Sequence, residues 1–104
     1  MNRTLPVLLA VASLTLPAFS LRADDAKAVW MKKCALCHGA DGSGKPAMKT
    51  KDYTKAEEQA KMKDEEILKA IQEGVPNSKM KGYAGKLSGD EIKALATFVR
   101  SLKK

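Results

Sequence analysis

The chain is short of most of what an ordinary small domain uses to build a core or a catalytic site. Its 104 residues include one histidine, two cysteines, one tryptophan, two tyrosines and two phenylalanines, so aromatics make up 5% of the sequence. A four-coordinate zinc site would need two ligands beyond the cysteines at 34 and 37, and apart from His38 no other Cys or His exists. The length allows one small domain and excludes a large enzyme core. No apolar/polar alternation marks a strand, and there is no internal repeat or low-complexity tract.

Long apolar runs are also scarce. The one present, Leu5 to Phe19, follows Arg3 and carries no charge. It falls short of the roughly 20 residues a membrane-spanning helix needs, and Pro6 and Pro17 would bend or break such a helix. This is the pattern of a secretory signal. Residues 1–23 are therefore expected to be a cleaved signal peptide and 24–104 the folded domain. Cleavage after Ala23 is favoured, cleavage after Ser20 is the other small-residue option, and an uncleaved anchor is the alternative. Cleavage removes two of the nineteen basic residues and none of the twelve acidic ones, leaving 81 residues at a formal charge of +5. At that size an apolar core alone is barely adequate, and small exported domains usually add disulfides, a metal or a cofactor.

Three stretches of the domain are predicted as helix. Asp24 to about Cys34 places acids first and lysines last, as the helix dipole prefers, with Ala26, Val29, Trp30 and Lys33 on one face. About Asp64 to Glu73 carries Ile67, Leu68 and Ile71, three acids in its first turn, and a stop at Gly74 and Pro76. The last helix starts at a capping box, Ser88 and Glu91, with Leu87 and Ile92 placed as a hydrophobic staple, and runs an apolar stripe through Ile92, Leu95, Val99 and Leu102. Gly39–Lys51 and Val75–Lys86 are loops by their glycines and prolines, and Tyr53–Lys63 is a short surface helix or turn. The fold class is all-α.

The two cysteines and the histidine fall together as Cys34-Ala35-Leu36-Cys37-His38, the C-x-x-C-H attachment sequence for c-type haem. Two thiols three residues apart on a helical turn can form thioethers along one porphyrin edge, and the next residue then lies under the iron. A Cys34–Cys37 disulfide or a redox dithiol uses the same spacing, but thioredoxin-like chemistry needs a βαβ context that is missing here. Opposite His38, the candidate ligands are methionines. Met31 is too near Cys34 in sequence to cross the ring. Met48 and Met62 fit gap-filling roles. Met80 lies in the second loop, 42 residues beyond His38, and is the best placed.

With these pieces in order, the domain resembles a small bacterial class I monohaem cytochrome c over essentially its whole length. The carriers of the resemblance are Trp30 four residues before Cys34, CALCHGADGSGKP, AIQEGVP, NSKMKGYAGKLS and GDEIKALATFVRSL. It implies three main helices wrapped around one haem c, thioether links at Cys34 and Cys37, and axial ligation by His38 and Met80. It also implies a Pro46 carbonyl accepting the other His38 ring N–H, and a first-to-last helix crossing through Ala26, Trp30 and Phe98. Two positions depart from the family. Ala26 stands where glycine is common, and Lys81 follows Met80 where proline is frequent, which implies a freer ligand loop.

The function so implied is a soluble periplasmic electron carrier rather than an enzyme. The alternatives are a haem-based ligand sensor or peroxidase-like protein with a displaceable Met80, and an exported dithiol protein without haem. Lys27, Lys32, Lys33, Lys45, Lys49, Lys79, Lys81 and Lys86 border the expected haem crevice, so redox partners with acidic docking surfaces are expected. Nucleic acid binding, membrane insertion after cleavage and a stable oligomer are not.

Overall fold

The computed structural model describes residues 23–104. The expected signal peptide lies outside the described residues except for Ala23, which opens the first helix. Among the described residues all regular structure is helical: α1 (Ala23–Val29), α2 (Ala35–His38), α3 (Ala56–Lys61), α4 (Asp64–Glu73) and α5 (Gly89–Ser101), with a 3-10 turn at Pro46–Met48 and two isolated bridges in place of strands. The all-α expectation holds, with α1–α2, α4 and α5 as the main helices and α3 as a short addition.

α1 and α2 form one unit. A single π turn, Trp30–Cys34, joins them, closed by the Ala35 N–H reaching back to the Trp30 carbonyl. The first helix therefore continues to His38 instead of ending near Cys34. A π turn inserts one residue into the helical repeat and so turns every side chain beyond it relative to those before, an arrangement common at functional sites. α4 spans the expected residues, with Asp64, Glu65 and Glu66 in its first turn, and stops at Gly74, whose φ of 80° lies in the left-handed region. α5 begins at the expected capping box: Ser88 Oγ accepts the Glu91 N–H at 3.1 Å, and Glu91 Oε1 accepts the Ser88 N–H at 3.0 Å.

The buried apolar core is small: Ala26 and Trp30 from the first unit, Ile67 and Ile71 from α4, and Ile92, Leu95 and Val99 from α5. α5 packs against both α1 and α4. The first and last helices meet at Ala26 and at Trp30, whose ring lies 5.5 Å from that of Phe98. α3 differs from a plain surface helix in one respect. Its Gln59 is buried, and the side-chain amide donates to the Tyr53 and Val99 carbonyls at 2.8 Å each, tying this short helix to α5.

Candidate functional site

Cys34, Cys37 and His38 sit at the C-terminal end of the α1–α2 unit. Both thiols are free and half-buried, and Leu36 between them is 78% exposed. Burial pushes the Cys34 thiol up to about 11, against the opposing influence of the Lys33 ammonium. Burial acts in the other direction on His38, holding its pKa below the usual histidine value. The imidazole is therefore neutral at neutral pH and keeps the lone pair that metal ligation requires.

The His38 ring is packed against two aromatics. Trp30 lies 5.6 Å away at 40°, and Tyr53 stacks on it at 5.5 Å and 24°. Trp30 is fixed in turn by its indole N–H, which donates to the Gly39 carbonyl at 3.0 Å. The loop after His38 folds back over the helix end: the Gly44 N–H donates to the His38 carbonyl at 2.8 Å, and the Tyr53 N–H to the Gly42 carbonyl at 2.8 Å. Thr50 closes this loop, its hydroxyl donating to the Cys37 carbonyl at 2.7 Å and accepting the Lys45 N–H at 2.8 Å.

His38 Nδ1 is buried and has no hydrogen-bond partner among the described residues. The expected bond to Pro46 is not made. Pro46 opens the 3-10 turn, and its carbonyl is taken by the Lys49 N–H at 3.1 Å, the closing bond of that turn.

Met80 lies in the loop between α4 and α5, half-buried against the core. Its N–H donates to Ser78 Oγ at 3.2 Å, and that hydroxyl donates to the Val75 carbonyl at 2.8 Å. Tyr83 ties the loop to the attachment helix. Its hydroxyl donates to the Lys33 carbonyl at 3.4 Å, and the Lys33 ammonium lies 5.8 Å from its ring centre. Of the other methionines, Met31 is 48% exposed, Met62 packs against the core and Met48 closes the 3-10 turn.

Thr50, Tyr53, Gln59 and Tyr83 went unassigned in the sequence. For the tyrosines a signal existed in the scarcity of aromatics. Trp30, Tyr53, Tyr83 and Phe98 are the only aromatic rings in residues 23–104, and each lies on His38, on Trp30 or on the residue before Cys34. Thr50 and Gln59 are single polar residues in polar stretches and carry no local signal.

Residues 23–103 match the cytochrome c family model. The chain belongs to the cytochrome c family. It is 39% identical over 84 residues to cytochrome c-553 of Helicobacter pylori (strain J99), covering 80% of this chain and 83% of that one. Among solved structures it resembles the KustC0563 c-type cytochrome, with a TM-score of 0.69 and 35% identity over 76% of this chain and 98% of that chain. It also resembles part of the dihydro-heme d1 dehydrogenase NirN, with a TM-score of 0.61 and 25% identity over 72% of this chain but 15% of that larger one.

Membership in the cytochrome c family implies a covalently attached haem c and a role as a haem-based electron carrier. The residues present fit the group. The chain's two cysteines are both unpaired, stand four residues and one residue before its one histidine, and share a helix end with it. Burial holds that imidazole's pKa below the usual histidine value, and Trp30 and Tyr53 pack against its ring.

Proposed function

We propose that this cytochrome c is a periplasmic carrier of single electrons and not an enzyme, with Cys34 and Cys37 as the attachment residues and His38 and Met80 as the axial ligands. The observation that carries this reading is the meeting of two devices at one helix end. The Trp30 and Tyr53 rings immobilise His38, and Tyr83 ties the Met80 loop to the residue before Cys34.

When bound, haem c supplies a one-electron couple. The chain's residues then set its terms. His38, neutral and packed against Trp30 and Tyr53, would offer a ring nitrogen to the iron. The Met80 thioether favours the reduced state and raises the potential relative to two-nitrogen ligation. Two protein ligands leave no position for a substrate, which is why electron transfer is preferred to a sensor or peroxidase-like reading. The signal-like start favours export. In keeping with it, no helix among the described residues is long and apolar enough to cross a membrane.

The deciding experiment is the visible spectrum of the ferric protein. A Met-to-iron charge-transfer band present in the wild type and lost in Met80→Ala is the expected result; no band in the wild type would favour an open distal site. For partners, the reading is a monomer that docks acidic redox proteins through lysines around the attachment helix, Lys32 and Lys33 among them. The rate of electron transfer to such a partner should fall steeply as salt rises. A flat salt profile would count against a basic docking rim.

A further inference from the structure

We propose that the segment Gly74–Ala84 is a backbone strap fastened to the end of α4, with Gly82 as the positioning residue that holds Met80 in place. The proposal rests on the reading of Met80 as a ligand and deepens it. Lys81, unlike a proline, puts no fixed φ into the backbone after Met80, so rigidity has to come from elsewhere.

The last carbonyls of an α-helix have no helical N–H to accept and must find other partners. At the end of α4, the Ile71 carbonyl accepts the Tyr83 N–H at 2.9 Å and the Gln72 carbonyl accepts the Ala84 N–H at 3.1 Å. The segment beyond Met80 is thus the C-terminal cap of α4. On the near side, the Val75 N–H donates to the Met80 carbonyl at 3.1 Å, and Gly74 pairs antiparallel with Lys81. Met80 is held by backbone bonds before and after it, and none of them depends on the identity of residue 81's side chain.

Two glycines make this closeness possible. At Gly82 a Cβ would run into the Gln72 carbonyl oxygen and meet the Glu73 carbonyl carbon at 2.6 Å. At Gly74, besides the left-handed φ, a Cβ would meet the Met80 carbonyl oxygen at 2.6 Å. All of these obstacles are backbone atoms, so neither substitution can be absorbed by a side-chain rotation. A methyl at 82 must lift the strap from α4 or displace the helix end, and either movement shifts Met80. α4 itself is anchored by Ile67 and Ile71 in the core. The position of Met80 is therefore set by the core through the helix end.

The test uses the haem-loaded protein and imidazole as the probe, which competes for the distal position only when the loop is open. Its apparent affinity scales with the open fraction. Gly82→Ala should lower the imidazole concentration for half-displacement about tenfold, read from the visible spectrum. Gly89→Ala, where a Cβ meets nothing within 4 Å, should leave it unchanged. If Met80→Ala removes the charge-transfer band while Gly82→Ala titrates like the wild type, the strap is overturned and the ligand reading stands. If Met80→Ala keeps the band, the ligand reading itself fails. Where Gly82→Ala does not accumulate with haem, amide exchange on the wild type decides: Tyr83 and Ala84 amides protected together with α4 support the strap, and free exchange of both overturns it.

Discussion

Gln59 is the one buried polar residue among the described residues, and every polar atom of it that the fold encloses is engaged. Its amide donates to the Tyr53 and Val99 carbonyls, and its oxygen accepts from Arg100 Nη1 at 3.2 Å. Arg100 spreads its fork over the same corner, donating to the Gln59 carbonyl at 2.6 Å, the Met62 carbonyl and Asp64 Oδ1 at 2.9 Å. The carbonyls are part-buried, whereas Asp64 is 80% exposed, so the ion pair contributes little and the carbonyl contacts most of the binding. Arg100→Lys keeps the charge but cannot reproduce the fork. It should cost about 1–3 kcal/mol in denaturant unfolding, the range for leaving such groups unpaired. Asp64→Asn should cost less than about 1 kcal/mol. Equal losses in the two variants would show that the ion pair, not the fork, holds α3 to α5. Gln59→Leu should weaken stability by a similar 1–3 kcal/mol while haem content stays at the wild-type level. A larger effect on the His38 environment would show that Tyr53 is positioned by this network alone.

At the scale of elements, the loop from Gly39 to Lys55 carries the residues that close over His38, and two aspartates shape it. Asp41 Oδ1 accepts the Ser43 N–H, and Asp52 Oδ1 accepts the Thr54 N–H, both at 2.9 Å. Hydrogen bonds from the Ser43 and Thr54 hydroxyls, and after them these backbone N–H groups, favour the ionised form and hold both carboxyls below the usual carboxylate range. A folded pKa below the unfolded one gives stability that is fully present above the unfolded value, about 3.9, and lost as pH falls through the lower folded value. Unfolding free energy should therefore decline on the acid side of that range, and less steeply in Asp52→Asn; identical acid slopes would dissociate this carboxylate from loop stability. The same elements show what sequence could convey. α4 and α5 were legible almost to the residue because their signals are local: acids in the first turn, Gly74 after the last, the Ser88–Glu91 box. The C-x-x-C-H site was legible for the same reason. The π turn at Trp30–Cys34, the burial of Gln59 and the closure by Thr50 were not, because each depends on a partner distant in sequence or on a register that apolar spacing does not encode. The bond from His38 to the Pro46 carbonyl is not made in this structure, where that carbonyl accepts the Lys49 N–H, a turn closure that a proline's sequence position does not reveal.

For the whole molecule, the shortage of large apolar residues reappears as a core of seven, of which Ala26 is one and only Leu95 has a side chain fully removed from solvent. Around it, Cys34, Tyr53, Met62, Leu68 and Met80 pack on the core but keep part of their surface outside it. Domains near this size bury only about 60% of the surface their unfolded chains expose and are correspondingly marginal. A covalently joined porphyrin changes that balance, since apolar area taken from water contributes about 25 cal/mol per Å² and several hundred Å² would amount to roughly 10 kcal/mol, comparable with the whole stability of a small domain. Trp30 and Tyr53 pack on His38, Phe98 on Trp30, and Tyr83 on the residue before Cys34, so the aromatics are gathered around the attachment sequence. Stability and redox function thus depend on one attachment. In Cys34→Ala/Cys37→Ala, expressed with the haem-attachment machinery present, far-ultraviolet circular dichroism should show most of the helix signal lost and no cooperative thermal transition. A native helix signal with a cooperative transition in that variant would mean that α1, α4 and α5 hold together through Ala26, Trp30, Leu95 and Val99 unaided, and that the haem adds chemistry to a fold already stable without it.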